Sequence, residues 1–136
     1  MAGYSGTPLV KKVGIKEGFS LLVINKPKNY HELLGELPDR VKEVNQNSKE
    51  IDFIHAFVKS SKELQTLLPK LIKQLKQDGM IWVSWYKKSA GITTDVTEDM
   101  IRKSALSIGL VDVKVCAIDE LWSGLKLVIR KENRKS

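Results

Sequence analysis

Three short stretches of this chain carry residue types that recognise anions: Asn25-Lys26-Pro27-Lys28, Lys59-Ser60-Ser61-Lys62 and Trp85-Tyr86-Lys87-Lys88-Ser89. Lysine supplies a point charge on a long stem, while hydroxyl, amide and backbone N–H groups supply directed bonds. The Trp85-Tyr86 pair adds flat rings on which a ligand can stack. Asn25, Lys26, Lys59, Ser60, Ser61, Trp85, Lys87 and Lys88 are therefore the candidate ligand contacts. The chemistry they suggest is binding of a small anionic molecule or a nucleic acid, not bond-making.

Catalytic constellations are thin by comparison. His31 and His55 are the only histidines. His55 shares a strand face with Phe53 and Phe57 by period two, which reads as a core histidine with satisfied nitrogens. His31 falls in the first turn of a short helix and reads as surface. Asp95, Glu98 and Asp99 are explained by helix capping and by the favourable position of acids in a first turn. Cys116 is the single cysteine, amid Val113, Val115 and Ile118, so it reads as a packed thiol with no disulfide or metal partner. Phosphate-binding glycine loops, zinc-protease motifs and nucleophile elbows are absent. No catalytic residue and no metal site are expected.

The elements that must position the three basic stretches alternate in type. Thr7-Pro8 starts a short helix through Leu9, Val10 and Val13 that Gly14 ends. Ser20 to Ile24 is a continuous apolar run, as in a strand covered on both faces. Asn29 with Glu32 predicts a capped short helix that Gly35 stops. Arg40 to Val44 reads as a short strand and Ile51 to Val58 as a longer one. Ser60 with Glu63 forms a capping box, and Leu64, Leu67, Leu68, Leu71, Ile72 and Leu75 recur at helical spacing. Pro69 inside that pattern predicts a kink or a join. Gln77-Asp78-Gly79 predicts a turn into the central strand, Gly79 to Trp85. Asp95 or Thr97 caps the next helix, with Ile101, Ala105 and Ile108 on its buried face and Gly109 at its end. Leu110 to Ile118 and Leu125 to Ile129 are too closely spaced to hold a helix between them, so they must pair antiparallel.

Alternating strands and helices closed by a hairpin predict one three-layer, Rossmann-like α/β domain spanning 1–136, its sheet mostly parallel with a C-terminal antiparallel hairpin. Residues 1–6 and 131–136 are expected to be loosely ordered. In such sheets ligands sit outside the carboxyl ends of the strands. The three basic stretches follow three strands, so the topology should gather their lysines on one edge. Of the net charge of +7, +5 lies within residues 59–91.

The run Leu75-Lys76-Gln77-Asp78-Gly79-Met80-Ile81-Trp82-Val83, the helix ending at Gly109-Leu110 and the closing hairpin resemble the second half of class I S-adenosylmethionine-dependent methyltransferases. That resemblance implies a final strand inserted antiparallel beside the central one. It also implies a glycine-rich cofactor loop after the first strand and an acid at the end of the second. Here the loop reads Asn25-Lys26-Pro27-Lys28-Asn29-Tyr30, without glycine, and Glu43 or Asn45 is the nearest candidate acid position. Glycine lets backbone approach a ligand closely, so tight cofactor binding is not expected. Tyr4-Ser5-Gly6-Thr7-Pro8-Leu9, Thr94-Asp95-Val96-Thr97-Glu98-Asp99 and Trp122-Ser123-Gly124-Leu125-Lys126 resemble a small bacterial family carried as a domain of unknown function, which implies no activity.

Composition bounds the remaining choices. With 42% hydrophobic and 29% charged residues, the chain is globular and large enough for its own core. No apolar run approaches ~18 residues and no signal-peptide layout is present, so no membrane association and a cytoplasmic location are expected. The leading expectation is a non-catalytic domain binding an anion at its basic edge. A methyltransferase-type enzyme with an altered cofactor pocket is the first alternative. A protein-interaction module using the sheet edge or Trp122, with a homodimer as one form of it, is the second.

Overall fold

A computed structural model describes residues 8–135. Six strands form one sheet in the order β2-β1-β3-β4-β6-β5. They are β1 (Ser20–Ile24), β2 (Lys42–Glu43), β3 (Ile51–Phe57), β4 (Leu75–Tyr86), β5 (Leu110–Ala117) and β6 (Trp122–Ile129). The pairings β1–β2, β1–β3 and β3–β4 are parallel, and β6 runs antiparallel to both β4 and β5. The sheet is thus parallel except for one inserted strand, the arrangement the methyltransferase resemblance implies.

Two faces of the sheet are covered by different chemistry. Helices α1 (Leu9–Val13) and α2 (Tyr30–Leu34) cover a face rich in rings, with Phe53, Phe57, Trp82 and Trp122 in its core. Helices α3 (Ser61–Gln74) and α4 (Glu98–Leu106) cover an aliphatic face. The heptad-like leucines of α3 do what their spacing requires: Leu64, Leu68 and Leu71 are buried. Period-two alternation sorts β3, sending His55 toward the rings and Ile54, Ala56 and Val58 toward the aliphatic core. Trp82 anchors α1 by donating from Nε1 to the Val13 carbonyl at 2.8 Å.

Several local expectations are corrected. Gln77-Asp78-Gly79 is no turn: β4 begins at Leu75, directly after α3. Its register jumps from Ile51↔Leu75 to Phe53↔Met80, so the extra residues bulge from an unbroken strand. Gly79 sits where a Cβ would meet the Ile51 carbonyl oxygen at 2.9 Å, so close approach rather than a turn requires the glycine. Pro69 lies inside α3 without dividing it. The strand expected at Arg40–Val44 contracts to Lys42–Glu43, and β6 starts at Trp122 rather than Leu125. Asn29 precedes α2 without a side-chain cap; instead Tyr30 N–H bonds the Pro27 carbonyl at 3.1 Å. Thr97 caps α4 by accepting from Met100 N–H, whereas Asp95 is engaged elsewhere. The helix start expected at Thr7 lies outside the described residues. The C-terminal stretch is tied down through residue 135: Arg134 Nε donates to the Ile129 carbonyl, and the Lys135 N–H to Gln77 Oε1.

At the outer edge, the register of β5 shifts between Asp112 and Lys114, leaving Val113 bulged and exposed. Such an irregularity disfavours strand-to-strand pairing along a free edge. Trp122, the other residue considered for partner contact, is buried against Phe57 and Tyr86. Among the described residues no helix is long and apolar enough to cross a membrane.

Candidate functional site at the carboxyl edge of the sheet

Because β1, β3 and β4 are neighbouring parallel strands, the loops that follow them leave the sheet on the same edge. The three basic stretches are gathered there by topology alone. The chain runs from β1 to β2 on one side, then returns past β1 to β3 on the other, so strand order reverses between β1 and β3. A crevice opens at such a switch point. Here it is a cleft of about 480 Å³ lined by Ile24, Asn25, Gln46, Ser60, Glu63 and Leu67, among others.

Asn25 shapes this cleft. Its backbone takes φ 57°, the left-handed region that asparagine tolerates better than most residues. Its side-chain amide donates to the Phe57 carbonyl at 3.0 Å and to Glu63 Oε2 at 3.1 Å, joining the end of β1 to the end of β3 and the start of α3. A strained residue at the strand-order reversal is a functional signal that residue type alone does not carry.

Donors at Lys59 and Ser61, at the start of α3, are already used. Glu63 N–H bonds Ser60 Oγ at 3.1 Å, and the Glu63 carboxylate accepts from Lys59 N–H at 2.8 Å, a capping box displaced by one residue. Asp95 accepts from Ser61 N–H at 2.8 Å and Ser61 Oγ at 2.6 Å. The Ser61 hydroxyl, then its N–H, hold the Asp95 carboxyl below the ordinary range. A carboxylate of the chain thus occupies the start of α3, where an incoming anion had been expected. Thr94 Oγ1 donates to the Lys59 carbonyl at 2.7 Å, fastening the same two loops together.

Lys26 is not a free cation either. Its ammonium is ion-paired with Glu43, which ends β2, and approaches His31 Nε2 at 3.1 Å; that nitrogen is also 3.4 Å from Glu43 Oε1. The sequence offered Glu43 only as one of two nearest candidates for the acid after the second strand. In the fold, Glu43 pairs with Leu21 in register and stands at the end of β2 beside β1. Lys59, Lys87 and Lys88 form no ion pair among the described residues.

Of the two rings, Trp85 is not a stacking surface. It is 8% exposed and belongs to the aliphatic core beneath α3 and α4. Tyr86, the partly exposed ring, is stacked on Trp122 with centroids 4.1 Å apart. His55 is fully buried, with Nδ1 2.8 Å from the Tyr30 hydroxyl and Nε2 2.7 Å from Ser84 Oγ, a core histidine with both nitrogens satisfied. Burial lowers its pKa to about 3. Burial, and secondarily the Glu43 carboxylate, push the Tyr30 phenol above its ordinary value. Among the described residues no group of three or more His, Cys, Asp or Glu could hold a metal ion.

No protein-family model matches the chain, and no curated protein matches it in sequence. Solved structures do resemble it. A SAM-dependent methyltransferase from Aquifex aeolicus superposes with TM-score 0.61 at 16% identity, covering 89% of this chain and 87% of that one. Fibrillarin from Aeropyrum pernix, with natively bound S-adenosyl-L-methionine, gives 0.58 at 14% identity over 93% and 70%. Magnesium protoporphyrin IX methyltransferase from Synechocystis PCC 6803, with bound SAM, gives 0.58 at 11% over 89% and 74%. At these identities the likeness is one of fold: this chain has the Rossmann-like fold of those methyltransferases.

Proposed function

We propose that this chain is a methyltransferase-type protein with an altered cofactor pocket, whose nucleoside site is the cleft between the carboxyl ends of β1 and β3. The observation that carries this reading is the position of that cleft, at the strand-order reversal and beneath the left-handed Asn25. A bare anion site there is less well supported, because the chain's own carboxylates take the donors at Lys59 and Ser61.

The residues present fit an adenosyl ligand held by side chains, not by a glycine-lined backbone. Asn25 adopts the conformation that glycine usually supplies, and the Glu43 carboxylate at the end of β2, held by Lys26, keeps lone pairs able to accept from a ribose diol. Ile24 and Leu67 contribute apolar surface, and Glu63 a polar group, within the cleft. The cofactor, when bound, supplies a methyl group on a sulfonium, which is electrophilic without help from a protein acid. The chain's task is then to bind and orient. Lys26-Pro27 cannot be approached as closely as a glycine pair, so affinity is expected to be weak.

Titration with S-adenosylhomocysteine at near-millimolar concentration tests this, read by calorimetry and by amide NMR shifts. Saturable shifts confined to Asn25, Ser60 and Glu63 and their neighbours are expected, with no tight isotherm. Absence of shifts at those positions would overturn the nucleoside reading.

A second expectation follows from the occupied acid. Lys26→Met frees Glu43, and should tighten binding of the same ligand by roughly 0.5–1 kcal/mol, the size of an exposed ion pair. Glu43→Gln should weaken it. Equal affinity for both variants and the unaltered protein would show that Glu43 does not touch the ligand.

A further inference from the structure

Over β5 and β6 the ring-rich face of the sheet is finished with lysine. Lys126 is the register partner of Trp82 on β4 and of Lys114 on β5, so all three side chains stand on one side of the sheet. It is the side on which Trp82 holds α1. Lys114 Nζ donates to the Lys12 carbonyl at 3.3 Å, and Lys12 Nζ to the Ala117 carbonyl at 3.0 Å, tying the helix to the edge strand. Burial raises the pKa of the Cys116 thiol, and the nearby Lys12 and Lys114 ammoniums oppose that rise. Lys11 is exposed on the same helix.

The elements that bring these four lysines together add no carboxylate to the face. Neither α1 nor β6 contains an acid. The acid of β5, Asp112, turns to Arg102 on the opposite face. Helix α2, which bears Glu32, docks farther along the sheet, on β3 through Tyr30. Beyond one end of the strands Asp119 is buried, its Oδ1 accepting from the Leu121 and Trp122 N–H groups, and Glu120 lies in the hairpin turn. Beyond the other, Glu132 is paired with Arg130, and Asp78 lies on the bulged start of β4. Lys11, Lys12, Lys114 and Lys126 form no ion pair among the described residues. Lys114 directly opposite Lys126 is moreover a like-charge pair, which costs stability and is relieved when an anion lies over it.

We propose that this face binds the phosphate backbone of a nucleic-acid duplex. Point charges spread over a helix and two strands match a row of phosphates better than one small anion. Trp82 and Trp122 are buried here and Tyr86 is stacked on Trp122, so no free ring is offered to unpaired bases, and a duplex is favoured over a single strand. Lysine contacts to phosphate position without reading bases, so the binding is independent of sequence. The surface is separate from the switch-point cleft and stands whether or not that cleft takes a nucleoside.

Fluorescence anisotropy with labelled DNA and RNA duplexes of about 20 base pairs, and with one DNA strand alone, tests this over a range of salt. A dissociation constant of roughly 10⁻⁶–10⁻⁴ M is expected near physiological salt, with about a hundredfold loss of affinity between about 50 and 200 mM. Whichever duplex binds more tightly names the source of the backbone. Lys11→Gln with Lys126→Gln removes two side chains that make no hydrogen bond among the described residues. That pair should weaken binding about tenfold or more and reduce the logarithmic salt slope by about 2. Lys114→Gln should reduce the slope by about 1 and, by removing the like-charge pair, leave the unfolding midpoint unchanged or raised. Should that change loosen α1, the first pair still carries the test. Lys70→Gln with Lys73→Gln, exposed on α3 across the sheet, lowers net charge equally and should keep affinity within about twofold. Equal loss from the α3 pair, tighter binding of the single strand, no saturable duplex binding at low salt, or phosphatidylserine vesicles bound in place of duplex would each overturn the proposal.

Discussion

Leu71→Ala is expected to remove about 2–5 kcal/mol of folding stability, a large share of the ~5–15 kcal/mol that holds a domain together. Leu71 is 1% exposed and sits in the aliphatic core with Leu64, Leu68 and Leu75, between α3 and the sheet. Truncation loses the transfer energy of the removed carbons and leaves a cavity that a helix pressed on a sheet cannot easily close. Urea unfolding reads the loss directly. The adjacent exposed residue provides the comparison: Lys70→Ala should stay within ~0.5 kcal/mol. A loss below about 1 kcal/mol for Leu71→Ala would mean that another face of α3 is buried.

Acid should destabilise the protein well above the pH at which its carboxylates titrate, and His55 is the cause. In the folded state burial lowers its pKa to about 3, from an ordinary 6.5. The folded ring stays neutral while the unfolded ring takes a proton below pH 6.5. The stabilising difference is therefore fully present above that pH and falls progressively as pH drops toward 3. Between pH 6.5 and 5 the loss should be roughly 1.5 kcal/mol, before Asp and Glu contribute appreciably. The neutral ring needs one donor and one acceptor partner, and the Tyr30 and Ser84 hydroxyls can serve as either. His55→Gln, which keeps polar atoms in place, should flatten stability across that interval. A flat curve for the unaltered protein would show that His55 gains its proton while folded.

The pattern of strands and helices was legible because its signals are local. A continuous apolar run marked β1, leucine spacing marked α3, and Gly14 and Gly35 marked helix ends, whereas α4 ends at Leu106, short of the Gly109 expected to stop it. The misread segment at Asp78-Gly79 shows the limit: a glycine chosen for contact with the Ile51 carbonyl looks, in sequence, like a glycine chosen for a turn. The length of β2 was equally hidden, since a two-residue strand exists only through its pairing with β1.

The sequence by itself determined that three basic stretches follow three strands, and parallel pairing then placed them on one edge, because every parallel strand delivers its following loop to the same side. What only tertiary structure decided is which of those groups are available to a ligand. Lys26 meets Glu43, Ser61 meets Asp95 and Asn25 meets Glu63 across separations of 17, 34 and 38 residues. Trp85 turns into the aliphatic core while its neighbour Tyr86, on the opposite face of the same strand, turns toward Trp122. Residue type reports the charge and hydrogen-bonding capacity of a side chain. Whether that capacity is already spent depends on partners distant in the chain, and those are set by the register of the sheet and the docking of the helices on it.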